Sequence, residues 1–575
     1  MPVRPLRTSE QVVHDLGERL RSLYTADEAA NALSALRAQV DGYSAPRSTP
    51  YILSQQDALI IAYGDHVQSP PEAPLLTLHH VLKSLNVPVG GLHLLPFYPY
   101  SSDDGFSVID YEAVDPALGS WEDIQGLGHD YRLMVDAVFN HISAQSEWFA
   151  AFRRGEPPYD RFFVTADPAL DYSQVTRPRT LPLLTPVETA SGTQYVWTTF
   201  SDDQVDLNFA NPAVLVEVAR ILLDYVHHGA SLIRLDAIAF LWKQVGSTCI
   251  HLPETHIVIK ILRDVLDLTA PHVLLITETN VPHAENLSYF GNGVDEAQLV
   301  YQFPLPPLIA HSLLTGNAQH LTEWAASLEP LDFGNTFFNF TASHDGVGVR
   351  PVTGILSDEE LAALVQATLD HGGQVSYRTL PDGSRSPYEM NITYFDLITA
   401  PEETRHAPEM AVRRFMTSQA IMMAMIGVPG IYFPSLFGGR NDYEGMARTG
   451  RARSINRRKF DEHALRAELS NPATTSAQVL KQYRNLLAVR AMESAFDPGG
   501  RQEVHRLDER VIALERVSSD GASRVLALHN VSDQPVTLDL SVPGDRKWHD
   551  LLGGESFEST IGLAPYQVAW LKARN

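Results

Sequence analysis

What the 575-residue sequence lacks sets the first limits on its class. Its one cysteine, Cys249, excludes a disulfide within the chain and a cysteine-rich zinc site. No uncharged apolar run is long enough to cross a membrane. The first residues also lack the apolar core of a secretory signal, so we expect a cytoplasmic protein without a membrane partner.

Positive charge is scarce. The chain has 44 Lys and Arg against 69 Asp and Glu, a net charge of −25. This balance disfavours nucleic acid as a partner, because binding the phosphate backbone needs an excess of cations. Any phosphate or carboxylate of a substrate would therefore need a local cluster of arginine or lysine.

Short apolar runs alternate with amphipathic helices from residue 58 onwards. Near-continuous apolar runs are typical of parallel strands that are covered on both faces. Eight of them with intervening helices predict an α/β fold, a (β/α)₈ TIM barrel. The runs are Ala58–Tyr63, Gly91–Leu95, Leu133–Val138, Leu232–Leu235, Val273–Thr277, Leu299–Phe303, Thr336–Phe340 and Gly430–Phe433.

The spacing of these runs predicts how the chain is divided. Two gaps are too long for a simple strand–helix repeat, and both follow strand ends, where barrel loops build active sites. A helical pattern with a capping box at Thr25 precedes the barrel, and alternating strands with turn signals follow it. The predicted parts are an N-terminal helical extension (1–50), the catalytic barrel (51–141 and 201–495), an inserted subdomain (142–200), a long loop insertion (346–400) and a C-terminal antiparallel β domain (496–575).

Charged and polar side chains cluster just past four predicted strand ends. Any one of these carboxylates could simply cap the helix that follows its strand. Four clusters in register are better explained by a shared pocket, because the strand ends of a barrel converge on one face. The residues are Asp136, His141, Arg234, Asp236, Glu278, His344 and Asp345.

Two of these carboxylates have the surroundings that retaining glycosidic chemistry needs. Such chemistry uses one protonated carboxyl to release the leaving oxygen and one ionised carboxylate as nucleophile. Asp236 lies two residues from Arg234, a cation that would keep it ionised. Glu278 lies beside apolar Ile276, which favours a raised pKa and a proton to donate.

These four segments resemble the hallmark regions of the α-amylase superfamily, glycoside hydrolase family 13, in its order. The resemblance implies Asp236 as nucleophile, Glu278 as acid/base and Asp345 as the carboxylate that grips the sugar hydroxyls. It also implies neither a metal nor an organic cofactor, and Asp136 and Asn140 are interpreted as scaffold.

Within that superfamily the chain is similar to the sucrose phosphorylase subfamily from about residue 51 onwards. By resemblance, Asp103 binds the far hydroxyls of glucose, Phe106 forms its platform and Arg453 pairs with Asp103. Arg177-Pro178-Arg179 matches a loop whose second arginine binds phosphate. The other expected substrate-binding residues are His141, Gln204, Arg234, Phe240, His344 and Tyr388.

Two departures from that subfamily bear on the acceptor. Ser386 and Glu389 stand where sucrose phosphorylases hold fructose, and the N-terminal extension is additional. Both features resemble the glucosylglycerate phosphorylases of the same subfamily, as does the stretch from Phe240 to Lys243. Lys243 and Arg177 are the candidate cations for a glycerate carboxylate.

The resulting expectation is a retaining phosphorylase that converts 2-O-α-D-glucosylglycerate and phosphate reversibly to α-D-glucose 1-phosphate and glycerate. Alternatives with the same chemistry are a phosphorylase of sucrose, sucrose 6-phosphate or glucosylglycerol, and a hydrolase or transglucosidase. A catalytically dead sugar-binding protein is the alternative from another class. The expected partners are these small molecules, and a homodimer is compatible with the sequence.

Overall fold

Eight parallel strands close into a barrel in the computed structural model, which describes residues 4–43, 52–179, 181–332, 334–379, 384–540 and 547–574. Each strand pairs with the next one in sequence, and the last returns to the first. All eight predicted runs form these strands, so the predicted (β/α)₈ barrel is confirmed. They are β1 (Leu59–Ala62), β2 (Gly91–Leu94), β3 (Arg132–Ala137), β4 (Ala230–Leu235), β5 (Leu274–Thr277), β6 (Leu299–Tyr301), β7 (Thr336–Phe340) and β8 (Val428–Tyr432).

Helices cover the outside of the barrel and bury their apolar stripes against it. The helix Pro212–His227 is representative: Asn211 accepts a bond from the amide of Ala213 at 3.1 Å, and Leu215, Val218 and Leu222 are buried. The remaining helices between β1 and the C-terminal sheet are Pro74–Leu85, Trp121–Asp130, Glu147–Arg154, Pro253–Thr269, His283–Leu287, Leu305–Thr315, Gln319–Ala326, Asp358–Asp370, Tyr394–Ile398, Pro401–His406, Pro408–Ala424, Tyr443–Thr449, Glu462–Leu469 and Thr475–Met492.

The chain between β3 and β4 makes two small antiparallel pairs above the barrel. Leu184–Thr189 pairs with Gly192–Trp197, and His141–Ser143 pairs with Gln204–Asp206. The second pair returns the inserted segment to the mouth of the barrel and brings Gln204 close to His141.

The chain between β7 and β8 makes a three-stranded antiparallel sheet. Arg385–Asn391 is its middle strand, flanked by Val347–Gly348 and Gln374–Thr379. Because Val347–Gly348 follows shortly after β7, this sheet lies at the carboxyl end of the barrel, as the first insertion does. We refer to it below as the insertion sheet.

Two N-terminal helices, α1 (Ser9–Leu23) and α2 (Ala26–Gly42), pack on the outside of the barrel. The predicted capping box at Thr25 starts α2. Leu16 is fully buried in the same apolar core as the barrel residues. Asp264 of the helix Pro253–Thr269 pairs with Arg7 at 2.6 Å and with Arg19 at 2.5 Å. The predicted limit at residue 50 lies outside the described residues.

The C-terminal part is antiparallel, as predicted. A six-stranded sheet has the order Arg501–His505, Val511–Val517, Arg524–Asn530, Val568–Arg574, Lys547–Asp550 and Ser556–Phe557. A further pair joins Val536–Asp539 to Thr560–Leu563. The limits given above for the separate domains remain predictions. Within the described ranges, no helix is both long and apolar enough to cross a bilayer.

The packing of α1 is testable with one pair of identical changes. Leu16→Ala should lower the free energy of unfolding by about 2–5 kcal/mol, because it leaves a cavity between α1 and the barrel. Leu6→Ala makes the same change at a side chain that is 52% exposed and should have a much smaller effect. Urea denaturation of both variants checks this, and equal effects would mean that α1 does not share the barrel core.

Candidate active site

The two reactive carboxylates follow neighbouring barrel strands in register. Leu235 at the end of β4 pairs with Thr277 at the end of β5. The next residue on each strand is Asp236 and Glu278, and the amide of Glu278 still donates to the carbonyl of Leu235 at 3.2 Å. Parallel pairing therefore places these carboxylates side by side at the carboxyl end of the barrel, the arrangement expected from the sequence.

A buried arginine lies beneath them. Nη1 of Arg234 is 2.7 Å from Oδ2 of Asp236 and also donates to Asp136. Asp136 in turn is 2.8 Å from Nε2 of His93 and is fully buried. Asp136 thus holds Arg234 in place, and Arg234 holds Asp236, which agrees with the interpretation of Asp136 as scaffold.

Asp236 and Glu278 are a coupled acid pair. Burial raises the pKa of both carboxyls, and each is raised further by the charge of neighbouring carboxylates. The pair therefore retains one proton near neutral pH. Burial raises the pKa of Asp236 to about 8, even though Arg234 makes direct contact with this carboxyl and favours its ionised form. A retaining mechanism needs the shared proton on Glu278 when Asp236 attacks, and the contact with Arg234 favours that arrangement.

The third carboxylate, Asp345, is held in its ionised form. Burial opposes its charge, but Arg453, with Nη1 at 2.7 Å from Oδ1, keeps its pKa well below the usual range. Gly346 follows it, and a Cβ at Gly346 would come within 2.4 Å of the carbonyl of Met390. Only glycine lets the chain beyond β7 run this close to the middle strand of the insertion sheet, so a glycine is needed directly after Asp345.

Arg453 has different partners from the one that the resemblance implies. Its Nε donates to Oε1 of Glu389 at 2.9 Å, and its Nη2 donates to the other oxygen of the same carboxylate. The nearer cation for Asp103 is Arg457, at 3.8 Å. Arg453 acts on Asp103 only over a longer distance. The physical reason is that Glu389, on the middle strand of the insertion sheet, occupies the Nε–Nη2 edge of the guanidinium and leaves Nη1 for Asp345.

Aromatic and imidazole rings form a neutral floor for a sugar ring. Phe106 stacks on His344 with a centroid distance of 4.6 Å and an angle of 5°. The carbonyl of Phe106 lies 2.9 Å from both Nε2 of His141 and Nε2 of Gln204. Burial lowers the pKa of His344 to about 3, so this ring is neutral. Phe240 adds an apolar side chain beside Phe200, and their ring centroids are 5.6 Å apart.

One cavity of about 1060 Å³ lies between these groups and is partly open to solvent. The residues predicted for catalysis, sugar binding and acceptor binding all line it except Arg234, which lies beneath, and Lys243. Sequence reasoning missed two further arginines in its wall, Arg350 and Arg378. No spacing in the sequence indicates that these two arginines belong to the site, because only the folding of the second insertion brings them to the cavity.

Lys243 does not lie in the cavity wall. Its ammonium is 2.6 Å from Oδ2 of Asp206 and donates to Oδ1 of Asn140 at 2.7 Å. Its side chain is only 3% exposed. This corrects the assignment of Lys243 as a cation for glycerate: its charge is already neutralised by Asp206, a residue that the inserted segment brings underneath it.

A closed parallel barrel with three carboxylates at its carboxyl end, two of them side by side, is typical of retaining enzymes that act on α-glycosides. The chain belongs to the α-amylase family. The model of the α-amylase catalytic domain matches residues 81–352.

The chain is similar to two phosphorylases in sequence and to a further one in structure. The chain is 47% identical to a glucosylglycerate phosphorylase of Allomeiothermus silvanus, over 96% of this chain and 97% of that one. It is 44% identical to a glucosylglycerate phosphorylase of Spirochaeta thermophila, over 97% and 98%. The crystal structure of sucrose 6F-phosphate phosphorylase from Thermoanaerobacter thermosaccharolyticum has the same fold, with a TM-score of 0.72 at 21% identity over 86% of this chain and 96% of that one.

The structural role of Lys243 can be separated from acceptor binding. Lys243→Met should lower the free energy of unfolding by about 3 kcal/mol or more, because it leaves buried Asp206 without its cation. The KM for an anionic acceptor should stay at its wild-type value. Lys547→Met, at a side chain that is 74% exposed, is the control and should leave the free energy of unfolding unchanged. A stable Lys243→Met enzyme with a raised acceptor KM would restore the original assignment.

Proposed function

We propose that this chain is a retaining glucoside phosphorylase that converts 2-O-α-D-glucosylglycerate and phosphate reversibly to α-D-glucose 1-phosphate and glycerate. The observation that carries the proposal is a cavity that combines the acid pair with four arginines, Arg177, Arg179, Arg350 and Arg378, that have no carboxylate closer than 3.8 Å among the described residues. Sugar binding and glycosidic cleavage need the carboxylates, whereas the arginines suit two anionic molecules, phosphate and glycerate. The names of the relatives at 47% and 44% identity support the same reaction.

In the first step, the carboxylate of Asp236 attacks the anomeric carbon of the glucosyl group. The bond from that carbon to O2 of glycerate breaks, and Glu278 gives its proton to this oxygen. Asp345 lies beside the sugar and is kept ionised by Arg453, so it is suited to grip hydroxyls as positive charge develops at the ring. Glycerate leaves, and a covalent glucosyl-enzyme remains on Asp236.

In the second step, a phosphate oxygen attacks the same carbon. Its proton passes to Glu278, Asp236 is released, and two inversions leave the α configuration in glucose 1-phosphate. Arg177 and Arg179 of the inserted segment are our candidates for the phosphate. Arg179 lies 4.0 Å from Asp103, and Nε of Arg177 is buried without a hydrogen-bond partner. Arginine suits this task because its planar donors bind phosphate oxygens in pairs.

Sucrose is disfavoured as the donor by the state of Glu389. Both of its oxygens accept from Arg453, and one also accepts from the amide of Gly346 at 3.1 Å. A carboxylate engaged in this way cannot hold a fructose hydroxyl without losing a buried ion pair.

Glucose 1-phosphate is a charged metabolite retained within cells, which supports the expected cytoplasmic location.

The function is tested by release of α-glucose 1-phosphate in phosphate buffer. The donors are 2-O-α-glucosylglycerate, sucrose, sucrose 6-phosphate and glucosylglycerol. We expect the highest kcat/KM with glucosylglycerate. A clear preference for another donor would replace the acceptor while keeping the mechanism, and free glucose without glucose 1-phosphate would make the chain a hydrolase.

The roles of the acid pair are tested with α-glucosyl fluoride, whose leaving group needs little protonation. Asp236→Asn should abolish turnover of both glucosylglycerate and the fluoride. Glu278→Gln should lower kcat/KM for glucosylglycerate about 100-fold or more, in line with the loss of general acid catalysis. The same variant should still release fluoride from the glucosyl fluoride in the first step. Rapid measurement of fluoride release checks this. Equal loss with both donors in the Glu278 variant would contradict its role as acid.

A further inference from the structure

Two arginines in the cavity wall have no place in the mechanism described so far. Arg350 begins a short helical turn, Arg350–Val352, just beyond the first strand of the insertion sheet. Arg378 lies on the strand Gln374–Thr379, opposite Ser386. Both line the cavity together with Tyr388 and Asn280. The insertion sheet therefore brings two guanidinium groups to the active site from separate segments.

Among the described residues, these two charges have no buried counter-ion. Arg350 lies 3.8 Å from Glu285, whose side chain is 44% exposed. Within the part of the chain that the structure describes, the side chain of Arg378 has no hydrogen bond or ion pair. Burial and the neighbouring charge of Arg350 lower the pKa of Arg378. Two like charges in a partly buried wall cost free energy until an anion binds between them.

The position of the pair points to one side of the substrate. Arg378 lies on the insertion sheet, and Arg350 lies on the turn just beyond its first strand. Tyr388, on the middle strand of this sheet, is within electrostatic reach of Arg179, Glu278 and Arg378. Glu278 serves the leaving oxygen in the first step, so an anion held by Arg378 beside Tyr388 is suited to the group that carries that oxygen. Burial also raises the pKa of Tyr388 to about 12, which keeps its hydroxyl available as a donor.

We propose that Arg350 and Arg378, assisted by Tyr388, bind the carboxylate of the glycerate group and so select an anionic acceptor. This inference rests on the proposed function and assigns the two arginines to glycerate, leaving Arg177 and Arg179 for phosphate. Guanidinium groups match a carboxylate with paired, charge-assisted bonds. Glycerol has the same hydroxyls without the charge, and a site built for a carboxylate rejects it because the arginines stay unpaired.

The experiment uses the full-length enzyme with α-glucosyl fluoride, a donor that contains neither carboxylate nor phosphate. In the first step the C1–F bond breaks, the bond from Asp236 to C1 forms, and fluoride leaves with the proton of Glu278 as hydrogen fluoride. In the second step an acceptor hydroxyl attacks C1 and passes its proton to Glu278. Glycerate, glycerol and phosphate are compared as acceptors, and water gives the basal rate of glucose release.

Arg378→Gln is the diagnostic variant. It should raise the KM for glycerate about 10- to 100-fold, the cost expected for losing charge-assisted hydrogen bonds. The KM values for phosphate and glycerol should stay near wild type. Arg350→Gln should act in the same direction, and Arg378→Lys should recover part of the affinity. Arg385→Gln is the matched control: it removes the same charge from an exposed position on the neighbouring strand and should leave all three acceptors unchanged.

Arg179→Gln provides the reciprocal comparison and should raise the KM for phosphate more than that for glycerate. An Arg378 variant with an unchanged KM for glycerate would overturn the inference. So would a KM for phosphate that rises as much as that for glycerate, because the pair would then be a general anion site. A wild-type enzyme that transfers glucose to phosphate but not to glycerate, or to water alone, would overturn the proposed function itself and this inference with it.

Discussion

Arg234 places one buried positive charge among the carboxylates at the end of the barrel, and the chemistry of the site depends on that contact. Asp136, which His93 contacts in turn, holds the guanidinium from below, and Asp236 meets it from above. Burial favours a protonated Asp236, because a carboxylate loses its hydration there, and Arg234 opposes this effect. The proposed division into nucleophile and acid thus depends on a charge that does not line the cavity.

The insertion sheet has the corresponding role above the barrel. Its middle strand presents Glu389 to Arg453, and that arginine then fixes the ionised state of Asp345. The same sheet carries Tyr388 and Arg378, and the turn after its first strand carries Arg350, the two arginines that we assign to the acceptor. One small antiparallel sheet therefore links the catalytic carboxylates to acceptor recognition, and a change in its sequence can alter the acceptor while the barrel chemistry stays intact.

The barrel and its carboxylates could be predicted because their signals are local. A buried parallel strand is a short apolar run, and a catalytic carboxylate follows it directly, as Asp236 and Glu278 do. Ion-pair partners could not be predicted in this way. Arg453 meets Glu389 from 64 positions away, and Lys243 meets Asp206, so both pairs depend on how the insertions fold back. Arg378 carries no signal because its strand reaches the cavity only through pairing with the strand of Tyr388.

The overall charge of the protein makes this local arrangement necessary. A chain with a net charge of −25 repels phosphate and glycerate at long range, so their affinity must come from close contacts within the cavity. Water needs no such contacts and is always present as a competing nucleophile. Arginines on both insertions shift that competition, because they can place an anionic acceptor next to the glucosyl-enzyme. Since each insertion provides its own arginines, the sites that we propose for the leaving and the attacking anion can change separately.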